Sequence, residues 1–302
     1  MTGNECNLKK KVGSCTKRQK IAVCVLIAII LLAAAAALMT VTGFGNDVFY
    51  DLLQSTDVSQ IRQIAVLKTP TTSNLSYLAA DITEIVDGET TGKDQLIDIL
   101  HGLRRSDLKL GSSEYDGASI GALTLETEDG TEGAIRKIVF SLMEDGSIEV
   151  YSDPETDKIL CGTSAEGKAW WIDSPELAYF INHMADRKAP EMEQEMMSFL
   201  QVVSADDCFI DGEALDEVDR KQITDYLNRL GKEGVAVKMT ESMQDFRFLR
   251  LSLAGNETGN WKWIEIGCSS QQENLVCVKC GTSADSDIEF GLLYFQNENL
   301  NQ

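Results

Sequence analysis

The sequence predicts an α+β fold of two tandem, related domains, each an antiparallel sheet packed with a helix, behind an N-terminal transmembrane helix. Three observations predict it. A long uncharged stretch comes after a basic N-terminus, short apolar runs alternate with Gly-, Asp- and Asn-containing turns, and three short motifs recur in the same order in the two halves of the chain.

The N-terminal element comes first. Residues 1–20 carry Lys9, Lys10, Lys11, Lys17, Arg18 and Lys20 against Glu5, a charge of +5, so that within a net charge of −21 the remainder holds −26. No charged residue occurs from Ile21 to Val41, which is long enough to cross a hydrocarbon core of about 30 Å as a helix. We therefore expect a basic cytoplasmic tail at 1–20 and a transmembrane helix at 21–43. The positive flank places the N-terminus inside and the acidic body outside the cell membrane. A cleaved signal peptide is the competing reading, since Ala33 to Ala37 are small, but the apolar core exceeds the usual length of about 7 to 15 residues.

A repeat organises the rest of the chain. Ile85-Val86-Asp87-Gly88-Glu89 matches Phe209-Ile210-Asp211-Gly212-Glu213 at an offset of 124. Each precedes a helical pattern, Leu96, Ile99, Leu100 and Leu103 in one half and Ile223, Tyr226, Leu227 and Leu230 in the other, at an offset of 127. Cys161-Gly162-Thr163-Ser164-Ala165 recurs at Cys280-Gly281-Thr282-Ser283-Ala284, at an offset of 119. Strands are expected at 60–67, 81–86, 120–126, 134–142, 147–151 and 158–161, with Asp145-Gly146 as a hairpin turn. In the second half they are expected at 198–204, 207–210, 246–253, 261–268 and 274–280. Ser174-Pro175-Glu176 opens a further helix that Pro190 ends or restarts, and this helix separates domain 44–188 from domain 189–302.

This layout, a strand pair ending in Asp-Gly-Glu, a short amphipathic helix and a meander with aromatic residues near its end, resembles small membrane-anchored extracytoplasmic α+β domains of unknown function from Gram-positive anaerobic bacteria. The resemblance covers about 57–183 and 196–295. It implies a bacterial cell-surface setting and carries no catalytic residue.

A body this acidic repels phosphate backbones, which excludes nucleic acid as a partner. Trp170 and Trp171, and above all Trp261 and Trp263 at alternate strand positions, are candidates for a face that stacks on a flat ligand; core packing is the alternative. Cys268 and Cys277 form a candidate cross-strand disulfide. Cys277-Val278-Lys279-Cys280 has the spacing of a redox or zinc motif, but in a strand residues three apart face opposite sides. The Asp87/Glu89 and Asp211/Glu213 pairs are best read as complementing the helix N-termini after them, with a cation site as the sharper alternative. His101 and His183 fall in predicted helices without metal-ligand spacing, and no Gly-x-Ser-x-Gly elbow occurs. Asn74-Leu75-Ser76 and Asn256-Glu257-Thr258 are glycosylation acceptor patterns. No catalytic, cofactor-binding or metal-binding residue is expected. The reading is a membrane-anchored binding or interaction module for a surface protein, peptide or cell-wall component. The alternative is a cell-wall-directed hydrolase using carboxylates in an inter-domain cleft.

Overall fold

A computed structural model describes residues 44–112, 118–129, 134–152, 168–204, 206, 208–210, 213–214, 216–239, 246–253, 260–269, 272, 275–282 and 289–296. The chain divides into two compact units, Met1–Val48 and Phe49–Gln302. The stretch predicted to span the membrane, 21–43, lies outside the described residues, among which no helix is long and apolar enough to cross a membrane.

In chain order the first elements are α1 (Phe44–Ser55), β1 (Ile61–Lys68), β2 (Tyr77–Asp81), β3 (Val86–Asp87), β4 (Thr90–Thr91), α2 (Gly92–Gly102), β5 (Leu108–Ser112), β6 (Ser119–Asp129), β7 (Ala134–Met143), β8 (Ile148–Ser152) and β9 (Lys168–Ile172). The others are α3 (Pro175–Leu200), β10 (Cys208–Ile210), β11 (Glu213–Ala214), α4 (Glu217–Glu233), β12 (Val235–Val237), β13 (Phe246–Leu253), β14 (Trp263–Ser269), β15 (Leu275–Gly281) and β16 (Phe290–Gln296). The fold is α+β, with a large antiparallel sheet.

Local chemistry explains where the helices begin. Thr91 and Asp94 make a reciprocal capping box at α2, Ser174 accepts from the Leu177 N–H with Pro175 next to it at α3, and Asp216 accepts from the Asp219 N–H at α4. The amphipathic faces match the 127-residue offset. Ile97, Leu100 and Leu103 are buried, as are Thr224, Leu227 and Leu230 at the corresponding positions.

Strand order repeats as well. One run is β2-β1-β6-β7-β8-β9, with β5 outside β9; the other is β11-β10-β13-β14-β15-β16, with β12 outside one end of β16. The two runs are not separate sheets. The free end of β16 pairs antiparallel with β2, through Phe290 with Ala79, Gly291 with Leu78 and Leu292 with Tyr77, giving one 14-stranded sheet. The largest apolar core takes residues from the inner faces of both runs and from α1, α2, α3 and α4. Burial of this kind is the main favourable term in folding.

Side-chain contacts between helices repeat too. In the first half the Gln54 amide donates to the Leu100 carbonyl and His101 Nε2 bonds the Thr56 carbonyl, 3.0 Å away. In the second the Gln201 amide donates to the Gly231 carbonyl, and the Asn228 amide to the Val203 carbonyl at 3.2 Å. His101 and Asn228 stand 127 residues apart, and their acceptors Thr56 and Val203 stand 147 apart. His101 is thus a helix clamp.

Several expectations are corrected. Pro190 neither ends nor restarts α3, which runs unbroken through the proposed 188/189 boundary. A proline inside a helix costs about 3 kcal/mol. Here the buried stripe Met184, Ala185, Ala189, Met192, Met196 and Phe199 continues past it, and burial on that scale offsets the loss. The segment 198–204 is the end of this helix and its adjoining turn rather than a strand, and most of 81–86 is loop. The predicted strand at 158–161 lies outside the described residues. Between β1 and β2, a loop is held by α3: Thr71 donates through its N–H and hydroxyl to Asp186, and Asn74 through its N–H and amide to Glu193 at 2.8 Å each. The Asn74 amide that a glycan would occupy is therefore engaged.

Candidate functional site

The hairpin formed by β3 and β4 turns through Gly88, whose φ of 68° suits the residue without a Cβ. It presents Asp87 to α3. There Asp87 meets His183 Nε2 at 2.9 Å on one carboxylate oxygen and the Arg187 guanidinium on the other, while Arg187 also donates to the Val86 carbonyl at 2.8 Å. The expectation that Asp87 serves the helix after it is corrected: Asp94 holds that place, its carboxyl kept below the usual range by hydrogen bonds from the Thr91 side chain and backbone. Glu89 is exposed, and Asp211 lies outside the described residues.

His183 in turn supports an aromatic ring. Tyr179, one turn earlier on α3, stacks on it with centroids 5.2 Å apart and planes 12° from parallel, and remains 65% exposed. Tyr179 and Pro175 stand between two concavities. The larger, 920 Å³, is lined by Lys109, Ser112, the turn Asp145-Gly146-Ser147, Trp171, Asp173, Ala178 and Asn182. The smaller, 450 Å³, is lined by Asp87, Gln95, Asp98, Ile99, Glu176, Phe180 and His183. A third concavity of 690 Å³, between the end of α3 and α4, is lined by Asp225, Asn228, Arg229 and Lys232 with no aromatic side chain.

Trp171 sits half-buried on the outer face of β9, over Gly111, where a Cβ would collide with the indole, and its Nε1 donates to the Ser112 carbonyl at 3.1 Å. Beside it across the strand pair, burial raises the pKa of the Glu149 carboxyl. The arrangement offers an aromatic surface, hydroxyl, amide and carboxylate groups and one amine in a cleft large enough for a small-molecule or polymer segment.

The candidate ligand face at Trp261 and Trp263 is corrected. The two are 5% and 1% exposed and do not share a face. Trp261 precedes the strand and stacks on Phe199 of α3, centroids 5.8 Å apart. Trp263, opposite Gly281 on β15, fills the space a Cβ there would occupy, with Arg250 and Lys279 over its ring at 4.4 and 5.1 Å. This gives the Gly of the second Cys-Gly-Thr-Ser motif a packing role; the first copy lies outside the described residues. Trp170 is in the core, stacked on Phe49.

The candidate disulfide is corrected likewise. Register sets Gly267, not Cys268, opposite Cys277, so neighbouring Cys268 takes the other face of the sheet. Both are free thiols, Cys268 exposed and Cys277 buried, and burial pushes the Cys277 thiol up to about 12. Burial also raises Cys280. Among the described residues no three His, Cys, Asp or Glu side chains converge as a metal site would require.

The sequence signals this site weakly. Trp171 stands out only as one tryptophan of four, and Tyr179, Asp98 and Glu176 look like ordinary helix-surface residues. Comparison with family models, curated proteins and solved structures finds no match.

Proposed function

We propose that this chain is a membrane-anchored, extracytoplasmic binding module, non-enzymatic, whose site is the cleft between Trp171 and Tyr179. The anchor reading rests on the uncharged stretch at 21–43 behind the lysines, and the bacterial surface setting on the resemblance of layout. We infer further that the body is a tandem duplication of two related domains. The repeated strand order and the equivalent His101 and Asn228 clamps support this, as does the shared burial pattern of α2 and α4.

One observation carries the binding reading. Two partly exposed aromatic rings flank a 920 Å³ cleft that also offers Asp145, Ser147, Asp173, Asn182 and Lys109. Apolar and aromatic walls with a few placed polar groups are what a ligand site requires. The ligand class is a surface protein, peptide or wall component. The test is capture from native membranes and walls by the full chain in mild detergent, beside Trp171→Ala and Tyr179→Ala. Loss of the captured component in both variants, with folding intact, is the expected result; equal capture by all three overturns the reading.

A wall-directed hydrolase is the second reading, favoured by Asp98 and Glu176 lining one pocket with the hydrogen-bonded Asp87–His183 pair. Turnover of a wall polymer that Asp98→Asn and Glu176→Gln each abolish would establish it.

A further inference from the structure

The smaller concavity differs in chemistry from its neighbour. Its walls are apolar, with Ile99 from α2 and Pro175, Tyr179 and Phe180 from α3. Two further lining residues are carboxylates, Asp98 in the middle of α2 and Glu176 in the first turn of α3, both exposed. The third, Asp87, is already matched by Arg187 and His183. Asp98 and Glu176 have no such match, since among the described residues neither lies within ion-pair distance of a cation. Glu176 alone would be explained by the α3 dipole, because an acid in a first turn favours its own helix. Asp98 has no such account, being on another helix and away from its start.

We propose that this 450 Å³ pocket is a subsite for a basic side chain, a lysine or arginine of a peptide segment that also occupies the Trp171 cleft. An aliphatic stem fits apolar walls, and a cationic head is favoured twice, by carboxylates and by the face of an aromatic ring such as Tyr179. Arginine, planar and weakly hydrated, suits such a site at least as well as lysine. The inference rests on the binding reading above and narrows its ligand to a basic peptide. Pro175 and Tyr179 wall both concavities, so that one ligand can enter both.

The experiment titrates a fluorescent oligolysine peptide into the full chain in detergent, with oligoglutamine as the neutral probe. Asp98→Asn combined with Glu176→Gln should weaken oligolysine binding about tenfold, as loss of close charge partners does. A control neutralising the exposed Glu195 and Glu233, Glu195→Gln with Glu233→Gln, removes the same charge elsewhere. It should leave affinity within about twofold, because distant surface charges are screened. Equal weakening by both pairs would mean attraction to bulk negative charge and overturn the proposal. So would wild-type affinity for oligoglutamine equal to that for oligolysine, or no oligolysine binding at all. Those failures leave Trp171-dependent capture untouched, whereas capture indifferent to Trp171 removes the cleft itself.

Discussion

The two halves of the body share a strand order and a helix clamp, yet the described concavities beside the start of α3, against α2 and β9 of the first half, have aromatic walls, and the one between the end of α3 and α4 has none. The contrast traces to one short region. Between the first and second helix of each half lie residues 56–91 in the first and 201–216 in the second, so the first half has twenty more. Those residues build the clasped loop, β2 and the β3–β4 hairpin, which supply the seam to β16 and the carboxylate that holds His183. Among the described residues the second half has β10 and β11 in that place. Its outer face carries two apolar clusters instead, Phe246 against Tyr294 in one and Trp263 with Phe290 in the other, the latter under Lys279 and joined by Ala79 of β2. Shared topology therefore describes the scaffold, and the unshared residues describe what the scaffold carries.

The two tryptophans test this contrast most sharply. Trp263→Ala empties a fully buried site and should cost about 3–5 kcal/mol of unfolding free energy in a denaturant titration. Trp171→Ala, on the half-exposed side, should cost less than about 1 kcal/mol by the same measurement while abolishing capture. Comparable stability losses would remove the distinction between a packing face and a binding face.

Next in size is the clasp. Replacing Asp186 and Glu193 together by alanine should cost about 1–3 kcal/mol, since each carboxylate accepts backbone and side-chain donors from the 69–76 loop. Hydrogen exchange should then quicken at Thr71, Asn74 and the β2–β16 seam and nowhere in β13 to β15. The helix clamps come third, and here the halves should agree. His101→Ala and Asn228→Ala should each lose about 1 kcal/mol in thermal unfolding, and a difference well beyond that size would break the equivalence.

Smaller still is a pH effect confined to the first half. Hydrogen bonds from Thr91 hold the Asp94 carboxyl below its ordinary 3.8. Its stabilising contribution is present in full above 3.8 and disappears as pH falls through the lower folded-state value. Wild type should thus exceed Asp94→Asn in stability at about pH 5, the gap closing under acid. The last prediction changes no energy. In native protein near neutral pH, iodoacetamide should modify Cys268 and spare Cys277 until denaturant is added, which peptide mapping would read.

Much of the scaffold is legible in the chain, for identifiable reasons. The helical faces at Leu96 to Leu103 and Ile223 to Leu230 depend on local periodicity, as do the strands around Leu123, Phe140, Leu251 and Val278. What escapes is long-range. Nothing local tells that Gly281 leaves room for the Trp263 indole, or that alternate residues Trp261 and Trp263 part company where the strand begins. The pocket residues are illegible for the same cause, since Asp87, Asp98 and Tyr179 meet only after α3 crosses from one run of strands to the other. Pro190 misleads because helix propensity is a weak guide where ten buried side chains hold the segment.

Strand β5 covers β9 along its length, from Ser112 opposite Lys168 to Leu108 opposite Ile172, whereas β12 leaves half of β16 bare. An uncovered edge invites a neighbour, and in this protein the neighbour is its own β2. With β9 covered by β5, the first half leaves no matching gap along that strand among the described residues, and the seam between the two halves is made once, by β16 with β2.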